Sequence, residues 1–326
     1  TTEIYTLSLH DALPISVLLH GKAGSPCLLE INHDGEQLVP ADQLWGLGSG
    51  ATMQQLGKVG AAAVIGPAGE QQVRYASVET ASGEPFSRGG LGAIMGSKRL
   101  KGIVLKTGPA TVAIADQAGF DKALEDLMRL FRASPFLLGP LGIREQGTAA
   151  LVDLLKQRGM LPGRNFSSFE GDETSWNAHA LRQRFHPQPG GCYDCTVACK
   201  RIVSDGTLLP EYDQLAAFGG LCGLDDLEQI IELCSWCRDQ GVDPVSYAAE
   251  KTASAGETAK TVKGLDLPPY DPRASTGLAL AYATSPHGAS HLPAWPIASE
   301  ILRKPVPTDR FSFDGKARVI AMFEDA

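Results

Sequence analysis

The residues best suited to chemistry are three cysteines in one short stretch. Gly191–Arg201 reads GCYDCTVACKR, which gives Cys192, Cys195 and Cys199 the spacing Cys-x2-Cys-x3-Cys. A [4Fe–4S] cluster needs four thiolates, and nearby cysteines plus one distant cysteine commonly supply them. Radical enzymes that bind adenosylmethionine use the opposite order of spacers. The pattern therefore predicts a [4Fe–4S] site; a zinc site with another fourth ligand and uncoordinated cysteines are the alternatives.

The fourth thiolate is missing from this pattern. The other cysteines are Cys27, Cys222, Cys234 and Cys237. Cys234 and Cys237 lie on the apolar face of a predicted helix, where buried structural cysteines are expected. Cys222 has no ligand spacing, so we expect a cluster built from this chain to be incomplete.

A glycine-rich stretch is the second candidate for ligand binding. Arg88–Lys98 reads RGGLGAIMGSK, and such a loop lets backbone N–H groups approach an anion closely. The order of a Walker A loop is absent, and so are the long strand and later acidic residue of a dinucleotide fingerprint. A plain turn is the alternative.

The surrounding elements predict an α+β fold. Short apolar runs alternate with turn residues in the first part of the chain and predict strands at Ser16–His20, Cys27–Ile31, Ala61–Ile65 and Gly102–Lys106, with a helix at Ala41–Lys58. Apolar residues then recur at helical spacing in Asp121–Arg132, Thr148–Arg158 and Asp225–Gln240, the last capped by Asp225 or Asp226.

These patterns suggest three domains. Residues 17–112 form a β-rich part, residues 113–250 a helical domain with the cysteine motif, and residues 251–326 a further partial helical domain. Lys251–Lys263 is polar and small and suggests a linker. Thr1–Ser16 resembles translated sequencing-adapter sequence and is left out of the fold; an ordinary strand and turn is the alternative.

Composition limits the function classes. The 326-residue chain is 43% hydrophobic and 20% charged, which is typical of a globular protein. Its net charge of −8 disfavours a nucleic-acid partner. The sequence contains no run of 18 apolar residues, so no membrane span is predicted. Seven cysteines, an odd number, favour a reduced, cytoplasmic chain with a metal site over a disulfide framework.

Several motifs in one order carry a family resemblance. They are RGGLGAIMGSKRLKGI, IGPAGE (Ile65–Glu70), the cysteine run, PEYDQLAAFGGLCGLDDLEQII (Pro210–Ile231), LPPYDPR (Leu267–Arg273) and AYATSPHGASHL (Ala281–Leu292). Over residues 17–326 the chain resembles the aldehyde:ferredoxin oxidoreductase family. The resemblance implies a β-rich domain carrying two pterins, followed by mainly helical domains.

The resemblance also implies a chemistry and its partners. A tungsten or molybdenum bis-pterin centre oxidises a small aldehyde to a carboxylic acid, and electrons leave through a [4Fe–4S] cluster to ferredoxin. A Mg²⁺ ion bridging the pterin phosphates belongs to the same set of cofactors. Members often form homodimers through a metal held between subunits; Glu232 falls on one such position, without the accompanying histidine.

Individual residues match the family's site. Cys192, Cys195 and Cys199 fall on cluster ligands. The phosphate-binding loop of the family matches Arg88, Gly89, Gly90 and Gly92. Asp243 matches the acidic end of the family's first pterin motif. His291 matches the family's histidine near the metal, and Glu211 and Asp213 cover the position of its general base.

Each of these assignments has a structural alternative. Glu211 and Asp213 also suit an acidic helix N-terminus, and His291 also suits a structural role. A metal pair of His287 and His291 would need a helix that Ser285–Gly288 disfavours. The first pterin motif begins with Arg238 where the family has an acidic residue, and Pro293 stands where a cofactor-binding lysine is frequent.

Parts of the family pattern are missing from the sequence. The first stretch of the family precedes Ser16, a helical segment is absent near 250–263, and the second pterin motif and fourth cysteine are expected beyond Ala326. We therefore expect a fragment of such an oxidoreductase. An iron–sulfur electron-transfer protein and an inactive fragment are the alternatives.

Overall fold

The structure is a computed structural model that describes residues 3–7, 16–32, 35–57, 61–106, 114–167, 169–192, 195–254 and 259–290. The chain divides into two compact units. The first unit contains residues 1–113 and 235–243, and the second contains residues 114–234 and 244–326. The α+β class predicted from the sequence is confirmed.

The first unit is built on a mixed sheet. Its strands are β1 (Glu3–Leu7), β2 (Ser16–His20), β3 (Cys27–Asn32), β4 (Gly35–Pro40), β5 (Ala61–Val64), β6 (Glu79–Thr80) and β7 (Leu100–Lys106). Five of them form one sheet in the order β4-β3-β7-β5-β6, in which only β3 and β7 are parallel. The predicted strands are confirmed, with ends that differ by one or two residues.

Strand alternation places apolar side chains on both faces of this sheet. Leu28 and Val104 pack with Leu44 on one face, while Leu29 and Leu100 pack on the other. Helices α1 (Ser49–Leu56), α2 (Pro67–Glu70) and α3 (Leu91–Ser97) complete the unit. A continuous helix over Ala41–Lys58 is wrong, because Gly46 has φ +89° and separates a short 3-10 turn from α1.

β1 pairs with β2 in an antiparallel ribbon. This strand agrees with the alternative reading of the first residues, an ordinary strand and turn. The interpretation of residues 1–16 as adapter sequence, like the proposed domain limits, stays a prediction.

The second unit is mainly helical. Its helices are α4 (Gln117–Arg132), α5 (Pro135–Leu138), α6 (Ile143–Gln146), α7 (Leu151–Gln157), α8 (Ala178–Phe185), α9 (Tyr212–Leu215), α10 (Leu227–Gln240), whose last residues belong to the first unit, α11 (Pro244–Ser254) and α12 (Thr276–Thr284). Short antiparallel pairs join β8 (Gln188–Gly190) to β9 (Lys200–Ile202) and β10 (Thr261–Val262) to β11 (Leu265–Asp266).

The predicted helices are confirmed, and the two differences concern the linker and the burial of α4. Asp226 caps α10 by accepting hydrogen bonds from the Glu228 and Gln229 amides, at 2.9 and 3.4 Å. The linker expected from Lys251 is wrong for its first four residues, which continue α11. Helix α4 has the predicted apolar face, but none of its residues is buried, and Leu124, Leu127 and Leu130 are exposed.

The core of the second unit surrounds Trp176. A π-helical segment, Ala216–Leu221, follows α9 and is entirely buried. A Cβ at Gly219 would lie 2.5 Å from the Trp176 ring, so this glycine lets the helix backbone pack directly on the indole. In the described parts of the chain, no helix has the length and apolarity needed to cross a bilayer.

Candidate functional site

The three clustered cysteines lie in a loop closed by a β-ladder. Strands β8 and β9 pair antiparallel, and Gly190 also bridges to Cys199. Within the loop the Cys195 amide donates to the Cys192 carbonyl at 3.1 Å. Cys192 and Cys195 are exposed and Cys199 is partly exposed, and none of the three forms a disulfide. The loop therefore presents three soft donors to solvent.

Two arginines fix this loop to helix α6. Arg144 Nη1 donates to the Thr196 carbonyl at 2.9 Å. Arg201 donates to the carbonyls of Ala198 at 3.3 Å and Ile143 at 2.8 Å. These charged donors hold the loop backbone while the thiols remain accessible.

The donor set of the loop fits an iron–sulfur cluster better than the other cysteines do. Among the described residues, no three His, Cys, Asp or Glu side chains are grouped closely enough to hold a metal ion. Binding therefore requires the loop thiols to converge. Cys234 and Cys237 are buried as predicted, and burial raises the pKa of Cys237 to about 12, which disfavours the thiolate that a cluster needs.

The glycine-rich loop is shaped by close backbone packing. Gly89 has φ +92° and Gly90 has φ +74°, and Gly90 precedes helix α3. A Cβ at Gly90 would lie 2.3 Å from the Arg74 carbonyl, and one at Gly92 would lie 2.3 Å from the Ser77 carbonyl. Packing thus explains Gly90 and Gly92. A Cβ at Gly89 would meet nothing within 4 Å, so the backbone there is open to a ligand.

The structure brings this loop together with Asp243 through one shared segment, Tyr75–Ser77. The Gly92 amide donates to the Ala76 carbonyl at 3.0 Å, and the Asp243 amide donates to the first carbonyl of the segment at 3.0 Å. Asp243 is 2% exposed. Two parts of the sequence about 150 residues apart, both matched to pterin contacts, therefore meet in the first unit.

A buried carboxyl group accompanies Asp243. Glu79 is 4% exposed and accepts a 2.6 Å hydrogen bond from Ser77 Oγ. Burial raises its pKa to about 7; the Ser77 hydrogen bond and Arg238 oppose this rise, and Asp243 adds to it. Because the folded chain favours protonated Glu79, its contribution to stability is complete below pH 4.5 and is lost as pH rises towards 7.

We expect Glu79→Gln to remove this pH dependence while keeping the Ser77 contact. Wild-type stability should fall relative to the variant between pH 5 and 8 by about 3 kcal/mol, since each pKa unit is worth ~1.4 kcal/mol. Urea unfolding at both pH values measures the difference. Equal pH dependence of the two proteins would show that Glu79 is not a neutral acid in the folded state.

The two acidic residues matched to a general base have different environments. Glu211 is the N-cap of α9 in a capping box, in which Gln214 Oε1 accepts from the Glu211 amide at 3.1 Å. Lys200 Nζ lies 3.8 Å from Glu211 Oε1 and links it to the end of the cysteine loop. The helix-terminal role considered from the sequence therefore holds for Glu211.

Asp213 is in a more reactive setting. Its carboxylate hydrogen-bonds the Tyr270 side chain, while its Oδ1 is buried with no hydrogen-bond partner among the described residues. Burial and the charge of Asp213 raise the pKa of Tyr270 well above its usual value, so the tyrosine stays a proton donor. The rings of Tyr212 and Tyr270 pack at a tilt with their centroids 4.8 Å apart, and the Tyr212 hydroxyl donates to the Pro269 carbonyl at 2.6 Å. A buried acceptor with one free oxygen suits binding of a water molecule or a proton.

The remaining predicted residue, His291, lies outside the described residues, as does Pro293. His287 is described. Helix α12 ends at Thr284, and Ser285–Gly288 forms a turn in which Gly288 has φ +89°. The helix needed for a His287–His291 pair is absent there, as the sequence indicated.

Family models match both units of this fold. The model described as "Aldehyde ferredoxin oxidoreductase, N-terminal domain" matches residues 7–107. The model described as "Aldehyde ferredoxin oxidoreductase, domains 2 & 3" matches residues 122–250 and 245–326. The chain belongs to the aldehyde ferredoxin oxidoreductase family.

Relatives of the family agree with this assignment. The tungsten-containing aldehyde ferredoxin oxidoreductase of Pyrococcus furiosus is 30% identical over 95% of this chain. The enzyme of the same description from Thermococcus kodakarensis is 29% identical over 95% of it. This chain spans 62% of the length of each relative.

A solved structure shares the fold. The active site complex BamBC of benzoyl coenzyme A reductase, in complex with 1,5 dienoyl-CoA, aligns with a TM-score of 0.58 at 24% identity. The alignment covers 74% of this chain and 40% of that one. At this identity it supports the fold alone.

Some residues of the site were not found from the sequence. Tyr270 lies in the LPPYDPR motif, 57 residues from Asp213, and only the repeated Tyr-Asp pair in PEYD and PPYD hints at it. Glu79 lay in no motif, and Arg201 ended the cysteine run without a predicted role. Their environments arise from burial, which spacing does not show.

Proposed function

We propose that this chain is the core of an oxidoreductase that oxidises a small aldehyde to a carboxylic acid at a tungsten or molybdenum bis-pterin centre. The overall reaction consumes the aldehyde and one water and releases the acid, two protons and two electrons. When bound, the metal–pterin centre would supply two-electron redox chemistry, and the [4Fe–4S] cluster would supply a path for the electrons to ferredoxin. The named tungsten-containing relatives favour tungsten.

The observation that carries the proposal is the loop of accessible thiols in a member of this family. Cys192, Cys195 and Cys199 would hold the cluster, because they are at least partly exposed whereas the other described cysteines are largely buried. Arg88 and the open backbone at Gly89 would contact pterin phosphates with Mg²⁺, and Asp243 would contact the pterin ring. Gly90 and Gly92 would shape that loop.

Proton transfer falls to groups of the second unit. Asp213, with Oδ1 unpartnered among the described residues and Tyr270 on its carboxylate, would accept a proton from the water that adds to the aldehyde carbon. Glu211 would position α9 as its cap. His291 would donate a proton or a hydrogen bond to the substrate. The match over residues 7–107 disfavours a simple electron-transfer protein, which would not need a pterin domain.

Metal analysis tests the proposal directly. Protein produced and purified anaerobically with tungstate and molybdate is analysed for W, Mo, Fe and Zn, with EPR after dithionite reduction. We expect iron with a cluster signal and one of the heavy metals, plus aldehyde-dependent reduction of a viologen dye. Zinc alone, or no metal, would refute the assignment for this chain.

Single substitutions locate the cluster. We expect Cys192→Ser, Cys195→Ser and Cys199→Ser each to abolish most of the bound iron, since serine replaces a thiolate ligand. Cys222→Ser is the matched control, because this partly buried thiol contacts the Ala248 carbonyl at 3.6 Å away from the loop. Iron loss in the control alone would place the cluster elsewhere.

A further inference from the structure

A cleft of the second unit has more positive than negative charge. It has a volume of about 270 Å³ and lies beside α8 and the β8–β9 pair that closes the cysteine loop. Arg182, His186 and Arg201 line it, and Glu145 is the only carboxylate among its lining residues. No part of the proposed reaction uses this cleft, although Arg201 is the last residue of the cysteine run.

Arg201 is the buried wall of the cleft. It is 6% exposed. Its Nη atoms donate to the carbonyls of Lys200 at 2.5 Å, Ala198 at 3.3 Å and Ile143 at 2.8 Å, and also to that of Arg144. All of these acceptors are neutral. Its Nε is buried and has no hydrogen-bond partner among the described residues.

A buried donor that is left without an acceptor destabilises a fold, so a further acceptor at the Arg201 Nε–H would be stabilising. Arg182 is exposed and lines the same cleft as Arg201.

We propose that this cleft is an oxyanion site in which Arg182 and Arg201 hold a carboxylate or phosphate group. The Arg182 guanidinium can bind such a planar or tetrahedral anion through paired N–H donors. Arg201 offers only its Nε–H, because its Nη atoms already donate to four carbonyls. His186, at the end of α8 with φ +44°, lies on the rim and adds a third donor. The oxyanion comes either as a free small ion or as an acidic side chain of a partner protein.

Isothermal titration calorimetry on the full chain tests this site with two probes. The probes are inorganic phosphate and a hexa-aspartate peptide, at an ionic strength held constant with chloride. We expect saturable one-to-one binding that Arg182→Gln weakens about 10-fold or more, the effect of losing a charged hydrogen bond. Arg182→Lys, which keeps the charge but loses the fork, should weaken binding less.

Arg184→Gln is the matched control. Arg184 lies on the same helix, is exposed, and faces Glu228 at 4.0 Å outside the cleft. The affinity of this variant for each probe should equal that of the wild type. Phosphate binding identifies a free oxyanion as the ligand, and binding of the peptide alone identifies partner carboxylates. Binding of neither probe at about 10 mM, or equal weakening by Arg184→Gln, would overturn the proposal.

Discussion

Glu70→Gln should destabilise the first unit by about 3 kcal/mol or more, because it leaves a buried ammonium group without its counter-charge. Lys101 is fully buried, and its Nζ donates to Glu70 Oε1 at 2.6 Å and to the Leu47 carbonyl at 2.8 Å. Glu70 in turn accepts from the Gly46 amide at 2.9 and 2.8 Å. Burial lowers the pKa of Lys101, and the Glu70 carboxylate is the main group that opposes this.

A double-mutant cycle separates the pair from its surroundings. Lys101→Met should cost a similar amount, because it leaves the Glu70 carboxylate buried. The double variant should be less destabilised than the sum of the two, since a buried ion pair can be replaced by other well-packed groups at low cost. Urea unfolding, with hydrogen exchange of β7 peptides to follow the first unit, measures each step.

An exposed ion pair provides the control for this cycle. On α4, Arg129 Nη2 lies 3.0 Å from Asp126 Oδ1, and the two side chains are 77% and 52% exposed. Arg129→Gln should change stability by less than about 1 kcal/mol. If Glu70→Gln were as mild as this control, water or another group would have to neutralise Lys101, and the ion pair would not be a source of stability.

The sequence predicted the secondary-structure elements better than it predicted the burial of their side chains. Leu124 and Leu127 correctly placed α4, because helical spacing is a local property. The exposure of that helix was not predictable, since spacing shows a face but not whether anything covers it. Gly46 shows the converse: its positive φ interrupted a helix whose apolar spacing was otherwise acceptable.

The candidate site divides in the same way. The cysteine spacing placed three thiols on one loop, whereas their exposure came from the structure. The contact between Asp213 and Tyr270 joins residues 57 positions apart, and no local pattern contains it. Glu79 gains its raised pKa only from burial beside Asp243. Chemistry that depends on long-range packing therefore had to come from the structure.

Asp213→Asn should lower kcat for aldehyde oxidation by about 10²- to 10⁴-fold in the metal-loaded protein, the usual effect of losing a general base. An amide cannot take the proton of the attacking water, and its size leaves the Tyr212–Tyr270 stack in place. Tungsten and iron content must be unchanged for this interpretation, so both are measured on the same sample. Tyr270→Phe should have a smaller effect, because it removes only the donor that orients the carboxylate.

Glu211→Gln distinguishes a base from a helix cap. Glutamine keeps an acceptor at the α9 N-terminus, so we expect a loss of about 0.5–1 kcal/mol in stability and a kcat within a few-fold of wild type. A large loss of kcat in Glu211→Gln, with Asp213→Asn active, would reverse the two roles and make the cap beside Lys200 the reacting carboxylate. Equal, small effects in both would remove the pair from proton transfer, and the base would then lie outside the Pro-Glu-Tyr-Asp segment.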